Sequence, residues 1–324
     1  MEKVDVVVIG AGPAGLAAAE VTGTLGAKTV VVDENSLPGG QLFKQIHKFF
    51  GSSHHYAGTR GFNIARELIA RAQEGNVDIR LDTVCWDLNS QKEVMLADKK
   101  STSQLQAKAV ILATGANEKS VIFPGWTLPG VMTAGAAQTL ANVHGVLPGK
   151  KVLIIGSGNV GLIVGYQLLQ GGAEIVALVE AAPTTGGYDV HVAKLARKGV
   201  PILTSHTVLE ARGNGKVEEA IIAQVDSNWQ PIAGTEETLE VDTILLAVGL
   251  NPMVELASMA GCQVVYSPGL GGYVPLHDEN MATTVPGIFV AGDSGGSGGS
   301  FQCHGRRASG RLVGGKKPGI GRRA

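Results

Sequence analysis

The chain has 324 residues, with 27 Lys+Arg against 28 Asp+Glu and a formal charge of −1. Hydrophobic residues make up 44 %, which excludes a disordered chain and a collagen-like repeat, although the 46 glycines are about double ordinary usage. The near-neutral charge is a cancellation, because residues 1–293 carry 20 basic and 28 acidic groups while residues 294–324 carry seven basic groups and no acid. A body at −8 offers no nucleic-acid footprint. No long apolar run escapes Gly or Pro punctuation, so no membrane span is expected. Cys85, Cys262 and Cys303 lie far apart with no CxxC, and MEKVDVVVIG enters a strand with no leader pattern. The expected location is therefore cytoplasmic.

In chain order, Val4–Ile9 reads as a buried parallel strand, residues 10–15 as a glycine turn and Leu16 to about Leu25 as a helix. Thr29–Val32 is the next strand and closes on Asp33, completing a βαβ unit. Val77–Leu88 and Val94–Leu96 look like hairpin or meander strands, and Ala109–Ala113 is a buried strand running into Thr114-Gly115. Thr133–Val143 reads as a helix joining two domains. The opening pattern then recurs: strand Lys151–Ile155, glycine turn 156–161, helix Leu162–Gln170 and strand Ile175–Val179 ending at Glu180. Val217–Asp226 and Thr238–Val248 flank a turn, and Gly287–Ala291 is the last strand, ending at Gly292-Asp293.

Gly10-Ala11-Gly12-Pro13-Ala14-Gly15 is G-x-G-x-x-G between a strand and a helix. Gly10 permits the tight turn, Gly12 lets the backbone approach a pyrophosphate, and Gly15 lets helix and strand pack closely. The helix N-terminus then offers N–H groups and positive dipole to phosphates. Asp33, 18 residues after Gly15, stands where an acid would bond ribose hydroxyls. Gly156-Ser157-Gly158-Asn159-Val160-Gly161 repeats the logic with Glu180, which favours NAD over NADP because no arginine is near. Glu180 falls one position later than Asp33 in its unit, which weakens that preference. A second turn that no longer binds nucleotide is the alternative.

The order GAGPAG, PGGQL, ILATGA, GSGNVG, LAVGLNP and GIFVAGD resembles the FAD/NAD(P) oxidoreductases with two dinucleotide-binding domains, the pyridine nucleotide-disulfide oxidoreductase superfamily, over residues 4–293. Thioredoxin reductase is its compact form. The resemblance implies an α/β fold of two Rossmann-like, three-layer ββα domains, the NAD domain inserted in a split FAD domain. The parts fall at 1–121 and 246–293 for FAD and 122–245 for NAD(P), with 294–324 as an atypical tail. It implies that Gly10, Gly12, Pro13, Ala14, Gly15, Asp33 and Glu34 hold FAD. Gly40 and Gln41 would meet the flavin ring and Val84 the adenine. Ala113, Thr114, Gly115, Gly292 and Asp293 would complete that site. Gly156, Gly158, Asn159, Val160, Gly161 and Glu180 would serve NAD(P)H, with NADH slightly favoured, and Gly249 is a further cofactor-binding position.

The CxxC of thioredoxin reductases is missing from Thr133–Pro148, so disulfide reduction is disfavoured. The stretch from Gly125 to Gln138 resembles instead the alpha subunits of sarcosine oxidase, hydrogen cyanide synthase, opine oxidase and dye-linked amino-acid dehydrogenases. That implies a partner oxidoreductase subunit or an electron carrier, with a homodimer as a further assembly. The expected reaction is transfer of hydride or electrons between NAD(P)H, FAD and an acceptor. His47, Phe49, Phe50, His54, His55 and Tyr56 cluster after Gln41, and His47 and Lys48 are the candidate catalytic residues, able to move a proton or hold a carboxylate. A solvated loop is the alternative. His54-His55 lacks a third ligand at metal-site spacing, so no metal is expected. Gly186-Gly187-Tyr188-Asp189 follows the second strand and reads as a plain loop, with the lining of a nucleotide edge as the alternative.

The resemblance also implies a helix after Asp293, but ten glycines leave no apolar period there. Degenerate codons for residues 297–320, read one base later, can spell VEEAFSAMEEGRLAGLLAAKSLG, an amphipathic helix. The tail reads as a one-base frameshift near Gly296 or as a flexible basic segment for an acidic partner.

Overall fold

The computed structural model describes residues 1–49 and 56–297. Phe50, His54, His55, Cys303 and the frameshift reading of 298–320 lie outside the described residues. The first βαβ unit is β1 (Glu2–Ile9), α1 (Pro13–Thr24) and β2 (Thr29–Val32). Pro13 sits at the first helical position, where its missing N–H costs nothing. Helix α2 (Gly61–Gln73) buries Ile64, Ala65, Leu68 and Ala72, one stripe at helical spacing. The expected run 77–88 is two strands, β3 (Val77–Arg80) and β4 (Val84–Leu88). Asp82, at φ 49, breaks it between them. β3 pairs parallel with β2, while β4 pairs antiparallel with β5 (Glu93–Ala97). β6 (Thr102–Leu112) runs seven residues earlier than expected, because its first half pairs β5 and its whole second half pairs β1.

The chain leaves this sheet through β7 (Ala116–Glu118) and enters a second one at β8 (Val131–Thr133). Helix α3 (Ala134–Asn142) starts on Thr133, whose hydroxyl accepts from the Ala136 N–H at 3.3 Å. Then come β9 (Lys151–Ile155), α4 (Asn159–Gln170), β10 (Glu174–Glu180), α5 (Asp189–Ala196) and β11 (Ile202–Thr204). An antiparallel meander follows: β12 (His206–Arg212), β13 (Glu219–Gln224) and β14 (Glu237–Glu240). β15 (Thr243–Leu246) returns to the parallel sheet beside β9, so the expected run 238–248 is divided between two sheets. The junction read at 246 therefore falls on the last residue of a strand that stays in this sheet. β16 (Leu250–Pro252) pairs antiparallel with β7 and zips the outgoing and returning crossings together. Helix α6 (Glu255–Met259), the hairpin β17 (Val264–Ser267) and β18 (Gly272–Pro275), and β19 (Ile288–Val290) follow, with β19 parallel to β6.

The parallel strands of the first sheet thus run β3-β2-β1-β6-β19, and those of the second β11-β10-β9-β15-β8. The two sheets repeat one arrangement of two Rossmann-like folds. The fifth place is filled from the far end of the sequence in one and from just upstream in the other. Each sheet is packed on both faces. Val6 and Val8 join Leu16, Ile64 and Leu68 on the helix side, while Val7 and Ile9 join Leu88, Val94 and Leu96 on the meander side. In the second sheet Val152 and Ile154 meet Leu162 and Leu168, whereas Leu153 and Ile155 meet Val208, Ala220 and Ile222. Strands buried on two faces read as continuous apolar runs, which is why Val4–Ile9 and Lys151–Ile155 were so legible.

Ile154→Ala and Leu153→Ala should each cost about 2–5 kcal/mol of stability, measured by urea unfolding. A sheet covered on one face would leave one of the two near neutral.

Candidate functional site

Both glycine turns sit at the C-terminal ends of the central strands, where α/β sheets bind ligands. Gly10 has φ +106, and a Cβ there would collide with the Ala113 carbonyl. Gly15 lies against the Gly10 carbonyl and Val8. Gly156, at φ +100, meets Ala247 in the same way, and Gly161 meets the Gly156 carbonyl. Gly12 and Gly158 differ from these four. Each is the N-cap residue of its helix, has ordinary negative φ, makes no side-chain cap, and has nothing within 4 Å of an added Cβ. The first helical bonds run from Leu16 to Gly12 and from Leu162 to Gly158, so Ala14, Gly15, Val160 and Gly161 precede them. The protein therefore supplies no packing reason for glycine at 12 or 158, and leaves room for an anion against each helix start.

Asp33 is buried and does not simply face outward to a ribose. Its Oδ2 accepts from the Ala11 N–H at 2.6 Å, and its Oδ1 accepts from the Asn35 backbone and side chain at 2.8 Å each. Glu180 does the same, accepting from the Ser157 N–H at 2.8 Å and hydroxyl at 2.6 Å, and from the Ala182 N–H at 3.0 Å. In each unit the second turn residue donates to the acid, and the acid also accepts from the residue two positions on. The one-residue offset of Glu180 has a physical cause. Val152 pairs Ile175 and Leu153 pairs Ala177, so β10 bulges by one residue at Val176. Gly156 N–H then reaches the Val179 carbonyl at 2.8 Å just as Gly10 reaches Val32. Glu180 occupies the place of Asp33, and the offset is no argument against it.

Around the first turn, the Gly39 N–H donates to the Ala11 carbonyl at 2.7 Å, and a Cβ on Gly40 would lie 2.8 Å from the Gly12 Cα. Gln41 and Glu34 are exposed beside it. Val84 is exposed next to Thr83, whose N–H holds the Asp33 carbonyl at 2.9 Å. Gly292, at φ +67, comes against Ala14 of α1, and Asp293 follows. Ala113, Thr114 and Gly115 close the same end, and Gly249 follows Ala247 and Val248 in the second unit as Gly115 follows Ala113 and Thr114. Asn159 Oδ1 accepts from the Tyr188 N–H at 2.9 Å and Ser157 Oγ from the Gly186 N–H at 2.9 Å. The 186–189 segment is thus part of the second turn's surroundings rather than a plain loop.

Three groups escaped the sequence reading. Ser294, fully buried, accepts the Gly115 N–H at 2.8 Å and bonds Thr114 Oγ1 at 3.1 Å. It lies in a 3-10 turn, Gly292–Gly295, so residues 294–297 belong to the first unit and not to a tail. Lys44 donates to the Gly135 carbonyl at 3.2 Å while Glu118 accepts the Gly135 N–H at 2.7 Å. Burial holds Lys44 below the usual lysine range, with Glu118 pulling the other way. The GDS triplet could have flagged Ser294; nothing local marks Lys44 or Glu118.

His47 and Lys48 stand elsewhere. His47 stacks on Phe49 and lines a cleft with α4 and α5, and no residue of either glycine turn lines it. Burial, His191 and Lys194 push it down to about 4, below the near-neutral value that the proton-moving role expects. Cys85 is pushed up to about 12 by burial, and buried Cys262 sits 3.3 Å from Thr283 Oγ1. A thiol raised as Cys85 is raised is the opposite of what a relay needs. Among the described residues no three His, Cys, Asp or Glu side chains form a metal cluster, and no helix is long and apolar enough to cross a membrane.

The sequence pattern of the pyridine nucleotide-disulphide oxidoreductase family matches residues 4–306, and the chain belongs to that family. It is 31 % identical to an opine oxidase subunit of Agrobacterium tumefaciens, over 95 % of this chain and 64 % of that protein. It is 30 % identical to the alpha subunit of sarcosine oxidase of Rhizobium meliloti, over 94 % of this chain and 30 % of that one. The chain spans less than two thirds of the length of either relative. Thioredoxin reductase of T. acidophilum shares the fold at TM-score 0.77 and 22 % identity, over 96 % of this chain and 97 % of that one.

Gly10→Ala and Gly15→Ala should lower the melting temperature by several degrees, at a cost of about 1–3 kcal/mol each. Gly12→Ala and Gly158→Ala should stay within about 1 kcal/mol of the parent, read by the same thermal scan. His47 gives a second outcome. Its ordinary value of 6.5 falls to about 4 in the fold, so protonation favours the unfolded chain. The stability it contributes is full above pH 6.5 and is lost as the pH falls toward 4. His47→Gln should shrink the difference in urea midpoint between about pH 7 and pH 4.5.

Proposed function

We propose that the chain is an FAD-dependent oxidoreductase. In this reading the turn at 10–15 holds FAD and the turn at 156–161 holds NAD(P)H, NADH in preference. Reducing equivalents pass between the two and on to an acceptor. The carrying observation is the pair of open, uncapped helix starts behind Gly12 and Gly158, each locked to a carboxylate at the end of the next strand. When bound, the flavin and nicotinamide supply the hydride chemistry. The chain's own residues bind and orient. Ala14 and Gly15 offer N–H groups to one diphosphate, and Val160 and Gly161 to the other. Asp33 and Glu180 keep lone pairs for ribose hydroxyls beyond the turn bonds they already accept. A carboxylate at Glu180 repels a 2′-phosphate, hence NADH over NADPH. Gly292 admits a close approach to α1, and Ser294 fixes the Thr114-Gly115 end of the first site. Lys44 and Glu118 pin the start of α3 against the Gly40–Lys44 turn. The corresponding domains are 1–121 with the segment after β15 for FAD, and the inserted stretch between them for NAD(P)H.

The relatives' names favour a second reading, a flavin- or nucleotide-binding component of an amine or amino-acid dehydrogenase or oxidase assembly, working with a partner oxidoreductase or electron carrier. Burial of Cys85, which pushes its thiol up to about 12, speaks against disulfide reduction in either.

An anaerobic titration separates these. FAD-loaded protein should lose its yellow absorbance on adding NADH, with NADPH at least about tenfold weaker. Bleaching only with an amine and a partner oxidoreductase supports the second reading. A protein that stays colourless with excess FAD contradicts both.

A further inference from the structure

A cleft of about 330 Å³ lies between residues 46–48 and Arg60 on one side and the helices α4 and α5 on the other. It holds five basic side chains, His47, Lys48, Arg60, His191 and Lys194, and no carboxylate lines it among the described residues. Three of these come from the first unit, where Lys48 forms a β-bridge with Arg60, and two from α5. Arg60 also donates to the Ile46 carbonyl at 3.0 Å, which holds its guanidinium at the rim. Burial first, and the neighbouring Lys194 after it, lowers both histidines, so the charge of the cleft rests on Lys48, Arg60 and Lys194.

A second observation points inward. Gln167 of α4 is 8 % exposed and lines this cleft. Its Oε1 accepts from Gln138 Nε2 at 3.0 Å and from Asn142 Nδ2 at 3.0 Å. Asn142 Nδ2 in turn donates to the Lys44 carbonyl at 2.7 Å, so the amide orientations are fixed by the network. Among the described residues the Gln167 Nε2 is therefore a buried donor with no partner, and His47 Nδ1 is likewise buried without one. An orphaned buried donor among cations is the signature of a missing acceptor. Ile46, Ile163 and Tyr166 give the cleft an apolar wall, so its occupant has a carbon body as well as a charge.

We propose that this cleft binds a small organic anion, with a carboxylate or phosphate received by Gln167 and the surrounding cations and a short apolar or aromatic body along Ile46, Ile163 and Tyr166. No residue of either dinucleotide turn lines the cleft. It joins the two units, so its ligand ties residues 46–48 and Arg60 of the first unit to α4 and α5.

Calorimetric titration of the full chain with benzoate and with phenyl phosphate tests this and tells carboxylate from phosphate. At least one probe should bind saturably, at about 1 mM or tighter in low salt. Lys48→Met/Lys194→Met should weaken it at least about tenfold, while circular dichroism confirms the fold. Gln167→Leu should weaken it as well. Gly12→Ala/Gly158→Ala should leave it unchanged, because those turns are not the site. No saturable heat with either probe overturns the proposal. So does equal affinity in Lys48→Met/Lys194→Met, or loss of binding in Gly12→Ala/Gly158→Ala alone.

Discussion

Each half of this protein hangs on one contact, a carboxylate at the end of a strand accepting the N–H of the second residue in a glycine turn. Asp33 holds Ala11 and Glu180 holds Ser157. Asp33 is buried and Glu180 half-buried, and a carboxylate withdrawn from water needs its lone pairs used; each of these acids takes three such bonds. The bond sets the angle at which the chain leaves the strand and begins the helix. The turn can then be this tight only because Gly10 and Gly156 slip past the carbonyls of Ala113 and Ala247. The helix start and the open space at Gly12 and Gly158 sit within that geometry.

The duplication reaches beyond the turns. Both sheets place the same five parallel strands in the same order, and both carry an antiparallel meander on the opposite face from the helices. They differ in where the fifth strand comes from. β19 arrives after the second unit is finished and β8 opens that unit, so the second unit can be threaded into the first with two crossings. Those crossings pair with one another as β7 and β16. Lys44, Glu118 and Asn142 add side-chain bonds across the same junction.

Much of this was legible because the signals are local and steric. Glycine at a positive φ, or at a close approach, leaves its mark in the sequence, and strands buried on both faces read as unbroken apolar runs. Thr29–Val32 and Lys151–Ile155 needed no adjustment. The failures share a different cause. The bulge at Val176 is invisible in spacing, so the distance to Glu180 misled. His47 was read from its neighbours in sequence, whereas its state is set by α4 and α5. Ser294 was lost in a glycine-rich composition that suggested a tail, although its hydroxyl is built into the strand ends. Long-range burial and one-residue irregularities decide these positions, and neither has a periodic signature.

The central claim is that the two turns are separate, equivalent dinucleotide sites. Equilibrium dialysis of the chain and of its Gly12→Ala and Gly158→Ala variants tests it most directly. One FAD and one NADH should bind per chain, with Gly12→Ala losing FAD alone and Gly158→Ala losing NADH alone. Loss of both ligands in either variant, or undiminished binding in both, would contradict it.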